Sequence, residues 1–245
     1  MDHYARSTGA EIISLPLNKE FAHDLQGMQA QVDAETTLIY VCNPNNPTGS
    51  ITPRSDLENF ISRLPANCYV LIDEAYHHFV RPSDKYASFL DHPLADKRVI
   101  VTRTFSKVYG LAGLRLGYGV AEAGLAKRLS SYLTQDSVNG IVVKAAVAAL
   151  GDDASVREFL QRNAAMRQAF LHEATGRNLK PIDSEANFVM MDAKVPASAV
   201  IDHFRQNNIL IGRRFPPLET YVRISLGTPA EMQSFWRVWD RLPRV

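Results

Sequence analysis

The sequence predicts an α/β protein: a large domain with a mostly parallel sheet over residues 1–150, followed by a smaller α+β domain over residues 151–245. Three observations predict it. Short apolar, β-branched runs alternate with helical patterns through the first part of the chain. Several of those runs are apolar almost throughout, the mark of strands covered on both faces. After Gly151–Asp153 the texture changes to amphipathic helices spaced by isolated strand-like runs.

In chain order, the first candidate strands are Glu11–Leu15, Thr37–Cys42, Tyr69–Ile72, Val99–Thr102 and Leu116–Val120. The stretch before Glu11 offers neither a helix cap nor a strand and reads like the middle of a domain. Between the second and third strands lies a marked helix. Thr52 is placed to cap it, Pro53 suits its first position, and Leu57, Phe60, Ile61 and Leu64 share one face. In the second half, Ser155 and Glu158 form a capping box that opens a helix with Val156, Phe159, Leu160, Met166 and Phe170 as its stripe. Strand-like runs follow at Asn187–Met191, Ile209–Gly212 and Tyr221–Leu226, with a helix near Ala197–Gln206. A last helix opens at Thr228, Pro229 and Glu231, and its Met232, Phe235, Trp236 and Trp239 have the spacing of a core stripe.

Composition narrows the class. The 245 residues are 46% hydrophobic and 22% charged, which is globular rather than disordered, and the length needs neither disulfide nor metal to fold. A net charge of +1 gives no whole-chain drive toward nucleic acid or an anionic membrane. Cys42 and Cys68 lie in apolar runs and read as buried thiols. No run approaches the ~20 apolar residues of a membrane span and no signal peptide is evident, so the expectation is a cytoplasmic protein.

Three segments carry polar chemistry, each where a strand hands over to a loop, the place where open α/β sheets bind ligands. Asn43-Pro44-Asn45-Asn46-Pro47-Thr48-Gly49 is either a rigid turn or a stiff loop that holds an amide against a ligand. Asp73-Glu74-Ala75-Tyr76 ends a buried strand with a carboxylate, a turn aspartate or an anion awaiting a positive partner. His77 and His78 follow, but adjacent histidines point different ways and make no metal site. In the third segment Thr104, Ser106 and Lys107 precede Gly110, Gly113, Arg115 and Gly117. The order is wrong for a Walker loop, and Glu122 occupies the third glycine position of a dinucleotide fingerprint.

Together, and with Tyr221-Val222-Arg223-Ile224-Ser225-Leu226-Gly227-Thr228, these motifs resemble the fold-type I pyridoxal-phosphate aminotransferases of class I/II, closest to the histidinol-phosphate aminotransferase branch. The resemblance runs from the first strand to the C-terminus and implies the aspartate aminotransferase-type fold, with pyridoxal 5'-phosphate as cofactor. It implies that Lys107 carries the cofactor covalently and shuttles the substrate proton, while Asp73 pairs with the ring nitrogen. Asn46 and Tyr76 would hydrogen-bond the phenolic oxygen, and Thr104, Ser106 and Arg115 would hold the phosphate. Arg223 would clamp the substrate's α-carboxylate. Arg213 or Arg214 would meet a second anionic group such as a substrate phosphate, and Asn187 would face the site. A carboxylate about 4 Å from a protonated ring nitrogen supplies about 4 kcal/mol at an effective dielectric constant of about 20, enough to keep the nitrogen charged. Guanidinium groups are the flat, permanently charged forks that phosphate and carboxylate fit.

The implied reaction moves an amino group between an amino acid, such as histidinol phosphate with glutamate, and a 2-oxo acid or ketone. The implied partners are these small molecules and a second subunit in a homodimer. A threonine-phosphate decarboxylase shares the motifs and is the alternative within the class. The resemblance also implies an N-terminal portion with a glycine-serine phosphate loop, a ring-stacking aromatic and an arm toward the neighbouring subunit. On these motifs the aromatic falls at or before Met1, so the expectation is a shortened chain. The other alternative is accordingly a non-catalytic remnant that associates with a full-length relative.

Overall fold

The computed structural model describes residues 2–134 and 137–243. In chain order the main elements are α1 (Asp2–Ser7), α2 (Leu25–Gln31), β1 (Leu38–Cys42), α3 (Arg54–Ser62), β2 (Tyr69–Asp73), β3 (Val99–Thr104), β4 (Gly117–Val120), α4 (Ala123–Ser130) and α5 (Gly140–Leu150). They continue as α6 (Asp153–Gly176), β5 (Phe188–Asp192), α7 (Ala197–Gln206), β6 (Tyr221–Ser225) and α8 (Pro229–Trp239). The residues fall into two compact units. The first comprises Met1–Pro44, Ile51–His77 and Pro82–Gly151, and the second Asn45–Ser50, His78–Arg81 and Asp152–Val245. The second unit thus takes two short segments from the loops that follow β1 and β2.

The first unit is built on the sheet β1-β2-β3-β4, in which β1, β2 and β3 are parallel and β4 runs antiparallel to β3. The registers Cys42↔Asp73 and Asp73↔Thr102 bring the ends of β1 and β2 level with Thr102, two residues before the end of β3, so the segments after them start from one edge. Leu57, Phe60 and Ile61 of α3 pack on Ile39, Val41, Val70, Ile72 and Val101. Each such side chain contributes about 1.5–3 kcal/mol relative to exposure. In the second unit β5 and β6 pair antiparallel, and the core joins Phe170 of α6, Val200 and Phe204 of α7, and Phe235, Trp236 and Trp239 of α8 to Val189, Met191 and Val222 of the strands. The Thr228–Glu231 capping box opens α8 as its sequence predicts.

Several expectations are corrected. Glu11–Leu15 forms no strand, because it finds no ladder partner among the described residues; only an isolated bridge joins Leu17 and His23. Asp2–Ser7 is helical where neither helix nor strand is predicted. Ile209–Gly212 is also no strand. The Ile209 N–H closes the end of α7 on the Phe204 carbonyl after Asn208 turns left-handed (φ 59°), and Gly212 makes a single bond to the Arg223 carbonyl. The outer strands are not covered on both faces: Leu38 and Tyr40 of β1 are exposed, as is all of β4. Pro53, not Thr52, is the N-cap of α3, since the Thr52 hydroxyl accepts from the His23 N–H. Asp152, not Ser155, caps α6 by accepting from the Ser155 N–H.

Neither cysteine is in a disulfide and both are buried. Among the described residues no helix is long and apolar enough to cross a membrane, and no group of His, Cys, Asp and Glu has the makings of a metal site.

Candidate active site

In the first unit the polar residues gather at the C-terminal ends of β2 and β3. Asp73 is the last residue of β2. Its carboxylate is held from both sides: Oδ1 accepts from the Ala75 N–H at 3.0 Å, and Oδ2 from the Tyr40 hydroxyl at 2.7 Å. One donor on each oxygen fixes the direction of the carboxylate. Tyr76 is buried, and the Lys107 Nζ stands 5.2 Å from its ring centroid, so the chain brings these two residues together. Thr104 ends β3, and its Oγ1 accepts from the Ser106 N–H at 3.0 Å, which curls the backbone just before Lys107. Arg115 follows a short 3-10 turn in the left-handed conformation (φ 55°) and donates to the Ala112 carbonyl at 2.8 Å.

Beneath these residues lies a buried ion pair that the sequence reading does not single out. Glu74, 1% exposed, accepts from the Phe89 N–H at 2.6 Å, the Ser88 hydroxyl at 2.7 Å and two nitrogens of Arg103 at 3.1 and 2.9 Å. Burial works to lower the Arg103 pKa, but the bonds and charge of Glu74 outweigh it and hold that pKa above the usual guanidinium value. The pair ties the end of β2 to β3 and to the 88–91 loop.

The second unit holds the other candidates. Arg223 on β6 lies with its guanidinium 4.9 Å from the Phe188 ring and 4.8 Å from the Phe215 ring, and Nη1 donates to the Asn46 side-chain carbonyl. The structure therefore pairs Asn46 with Arg223. Asn46 sits on a stiff loop: Asn45 Nδ2 donates to Thr48 Oγ1, Gly49 N to the Asn45 carbonyl, and Gly49 has φ 74°. A Cβ at Gly49 would stand 2.1 Å from Ser184 Oγ, so only glycine fits against that backbone.

Arg213 and Arg214, adjacent in sequence, differ in environment. Arg214 is ion-paired with Glu219 at 2.6 Å. Arg213 lies over the Phe215 ring at 4.5 Å and donates to the Arg214 carbonyl at 3.4 Å. Asn187 is half-buried just before β5, and its carbonyl accepts from the Leu226 N–H.

Sequence reasoning misses Tyr40, the Glu74–Arg103–Ser88 cluster, and the rings of Phe188 and Phe215 that lie against Arg223. Only the last carries a sequence signal, since Phe215 directly follows the Arg213–Arg214 pair.

A mostly parallel sheet with a lysine, an oriented carboxylate and a buried tyrosine after its strand ends has the layout of an α/β fold whose strand ends face a ligand edge. The sequence matches the family aminotransferase class I and II over residues 1–238, and the chain belongs to that family. It is 37% identical over 223 residues to histidinol-phosphate aminotransferase 2 of Carboxydothermus hydrogenoformans, covering 90% of this chain and 61% of that protein. The fold is similar to that of histidinol-phosphate aminotransferase from Sinorhizobium meliloti in complex with pyridoxal-5'-phosphate: the TM-score is 0.89 with 30% identity, covering 99% of this chain and 68% of the other. L-threonine-O-3-phosphate decarboxylase from Porphyromonas gingivalis shares the fold at a TM-score of 0.77 and 23% identity, covering 98% and 72% of the two chains. The chain spans about 60% of the length of the curated relatives it matches.

Proposed function

We propose that this chain carries the lysine and the substrate-binding arginine of a pyridoxal-phosphate aminotransferase that acts on histidinol phosphate or a related amino compound, with glutamate as the second substrate. The observation that carries this reading is the approach of Lys107 to Tyr76, three residues after Asp73, whose carboxylate is already oriented by two donors.

The residues fit the cofactor's chemistry. Asp73 offers a fixed anion to a ring nitrogen, Lys107 an amine beside an aromatic ring, and Thr104, Ser106 and Arg115 hydroxyls and a cation for a phosphate. When bound, that cofactor supplies an electron sink for charge developing at the substrate carbon. Asp73 would hold the ring proton through its charge. Lys107 would take the proton from the substrate carbon and return it one position away. Tyr76 would offer its hydroxyl to the phenolic oxygen; the Asn46 side-chain carbonyl accepts from Arg223, which leaves its amide N–H to serve as a donor.

Arg223 receives the anion nearest the amino group. Its two flanking rings fix the plane of the fork, so a bound carboxylate or phosphate meets a preset donor edge. Of the neighbouring pair, Arg213 is the second anion site, because Arg214 already answers to Glu219. Glutamate brings two carboxylates and histidinol phosphate one phosphate ester, and two guanidinium positions accept both. A homodimer in the cytosol is the natural setting, and the two buried thiols suit a reducing compartment.

The test adds pyridoxal phosphate to the purified chain, reduces with borohydride and maps the modified peptide by mass spectrometry. Modification at Lys107, lost in Lys107→Ala, with a cofactor absorbance that glutamate or histidinol phosphate alters, supports the reading. Spectral response to threonine phosphate alone, with carbon dioxide release, would turn it to a decarboxylase. Scattered labelling of surface lysines would favour a non-catalytic chain.

A further inference from the structure

We propose that Tyr40 is a positioning residue for the cofactor ring, its hydroxyl holding the Asp73 carboxylate in the orientation that meets the ring nitrogen. The inference rests on the role given to Asp73 above and extends it to a residue outside every motif of the chain.

The geometry is specific. In the parallel β1–β2 pair Tyr40 stands opposite Leu71 and Cys42 opposite Asp73, so the Tyr40 side chain reaches diagonally along the sheet face to Asp73. Its hydroxyl donates to Oδ2 at 2.7 Å, while the Ala75 N–H donates to Oδ1 at 3.0 Å. One donor on each oxygen removes the rotation that a strand-end aspartate otherwise keeps. Oδ2 has a second lone pair, so it accepts from Tyr40 and from a ring N–H together.

Tyr40 remains a donor at every working pH: desolvation, reinforced by the neighbouring Cys42 and Asp73, drives its phenol far above the ordinary tyrosine range. The consequence is chemical as well as steric. A proton shared by a ring nitrogen and a carboxylate sits further toward the nitrogen when the carboxylate already receives other hydrogen bonds. Tyr40 therefore favours the protonated ring, the form that withdraws electrons. Tyr40 is 39% exposed, and a phenylalanine in its place keeps the strand packing while removing only the donor.

The experiment compares the full chain with Tyr40→Phe in two measurements. In the first, without added cofactor, side-chain carboxyl resonances of carbon-13-labelled aspartate are recorded, with Asp73 identified by its loss in Asp73→Asn. The Asp73 resonance is expected to move in Tyr40→Phe; an unmoved resonance overturns the proposal. In the second, pyridoxal phosphate is titrated in and its absorbance followed against pH. Tyr40→Phe is expected to retain the cofactor roughly 3- to 10-fold less tightly, with a shifted pH dependence of the bound spectrum and an unchanged melting midpoint. Equal affinity and equal spectra while the parent chain takes the cofactor on Lys107 overturn the Tyr40 role alone. Failure of the parent chain to take the cofactor on Lys107 overturns the functional reading and this proposal with it.

Discussion

The Glu74–Arg103 pair offers the sharpest test of how the first unit is held together. Glu74 is 1% exposed and accepts four hydrogen bonds, two of them from Arg103, whose side chain is 11% exposed. Glu74→Gln keeps the volume but sets an amide N–H₂ against a donor whichever way the amide turns, and it strips the buried guanidinium of its counter-charge. Breaking one partner of a buried pair costs about 3–5 kcal/mol, because the other charge is left uncompensated. Arg103→Met should cost a similar amount through the stranded carboxylate, which keeps only Ser88 and the Phe89 N–H. The double variant should cost at least about 2 kcal/mol less than the sum, since neither charge is then orphaned. For a unit of this size a loss of about 3 kcal/mol lowers the melting midpoint by about 6–12 °C. The assay must report on the first unit. Trp236 and Trp239 both lie in the second, so tryptophan fluorescence is the wrong probe. Hydrogen exchange over peptides spanning β2 and β3, with far-ultraviolet circular dichroism, reads the right one. Additive costs, with coupling below about 0.5 kcal/mol, would refute the reasoning and make Glu74 and Arg103 two independent buried polar groups.

Two further outcomes follow from the geometry. His23 is mostly buried, its Nε2 lies 3.0 Å from the Cys42 carbonyl, and desolvation holds its pKa below the ordinary 6.5 despite that bond. The unfolded chain therefore binds the proton more readily, so stability should be full above about pH 7 and fall as pH drops through 6.5 toward the folded value. Urea titrations between pH 5 and about pH 8 check this, and an undiminished acid slope in His23→Gln would show that other groups cause it. Gly49→Ala should destabilise the second unit by about 2 kcal/mol, since the new methyl meets Ser184 Oγ at 2.1 Å and φ is 74°. Tryptophan fluorescence is the suitable probe there, and an unchanged midpoint would mean that the 45–50 loop yields freely.

Much of the architecture follows from the sequence alone. Apolar runs ending in Cys42, Ile72 and Thr102 mark three strands, and the helical stretch between the first two fits a parallel crossover, although Leu38 and Tyr40 leave one face of β1 exposed. The helical stripe Leu57, Phe60 and Ile61 fixes what covers them. The motifs around Asn46, Asp73, Lys107 and Arg223 carry the resemblance to the class I and II aminotransferases, the family that the chain matches. The sequence could not tell Arg213 from Arg214, since adjacent arginines differ only in what folds back toward them; the chain brings Glu219 to Arg214 and the Phe215 ring to Arg213. Nor could it find Tyr40, whose link to Asp73 spans 33 residues and exists only because strand register sets them on one diagonal. Glu74 and Arg103 likewise look like surface charges until the 88–91 loop closes over them. Local pattern determines where a strand or helix forms and what its exposed end can do. Which side chains meet across strands is decided by register and loop closure, which are properties of the packed chain.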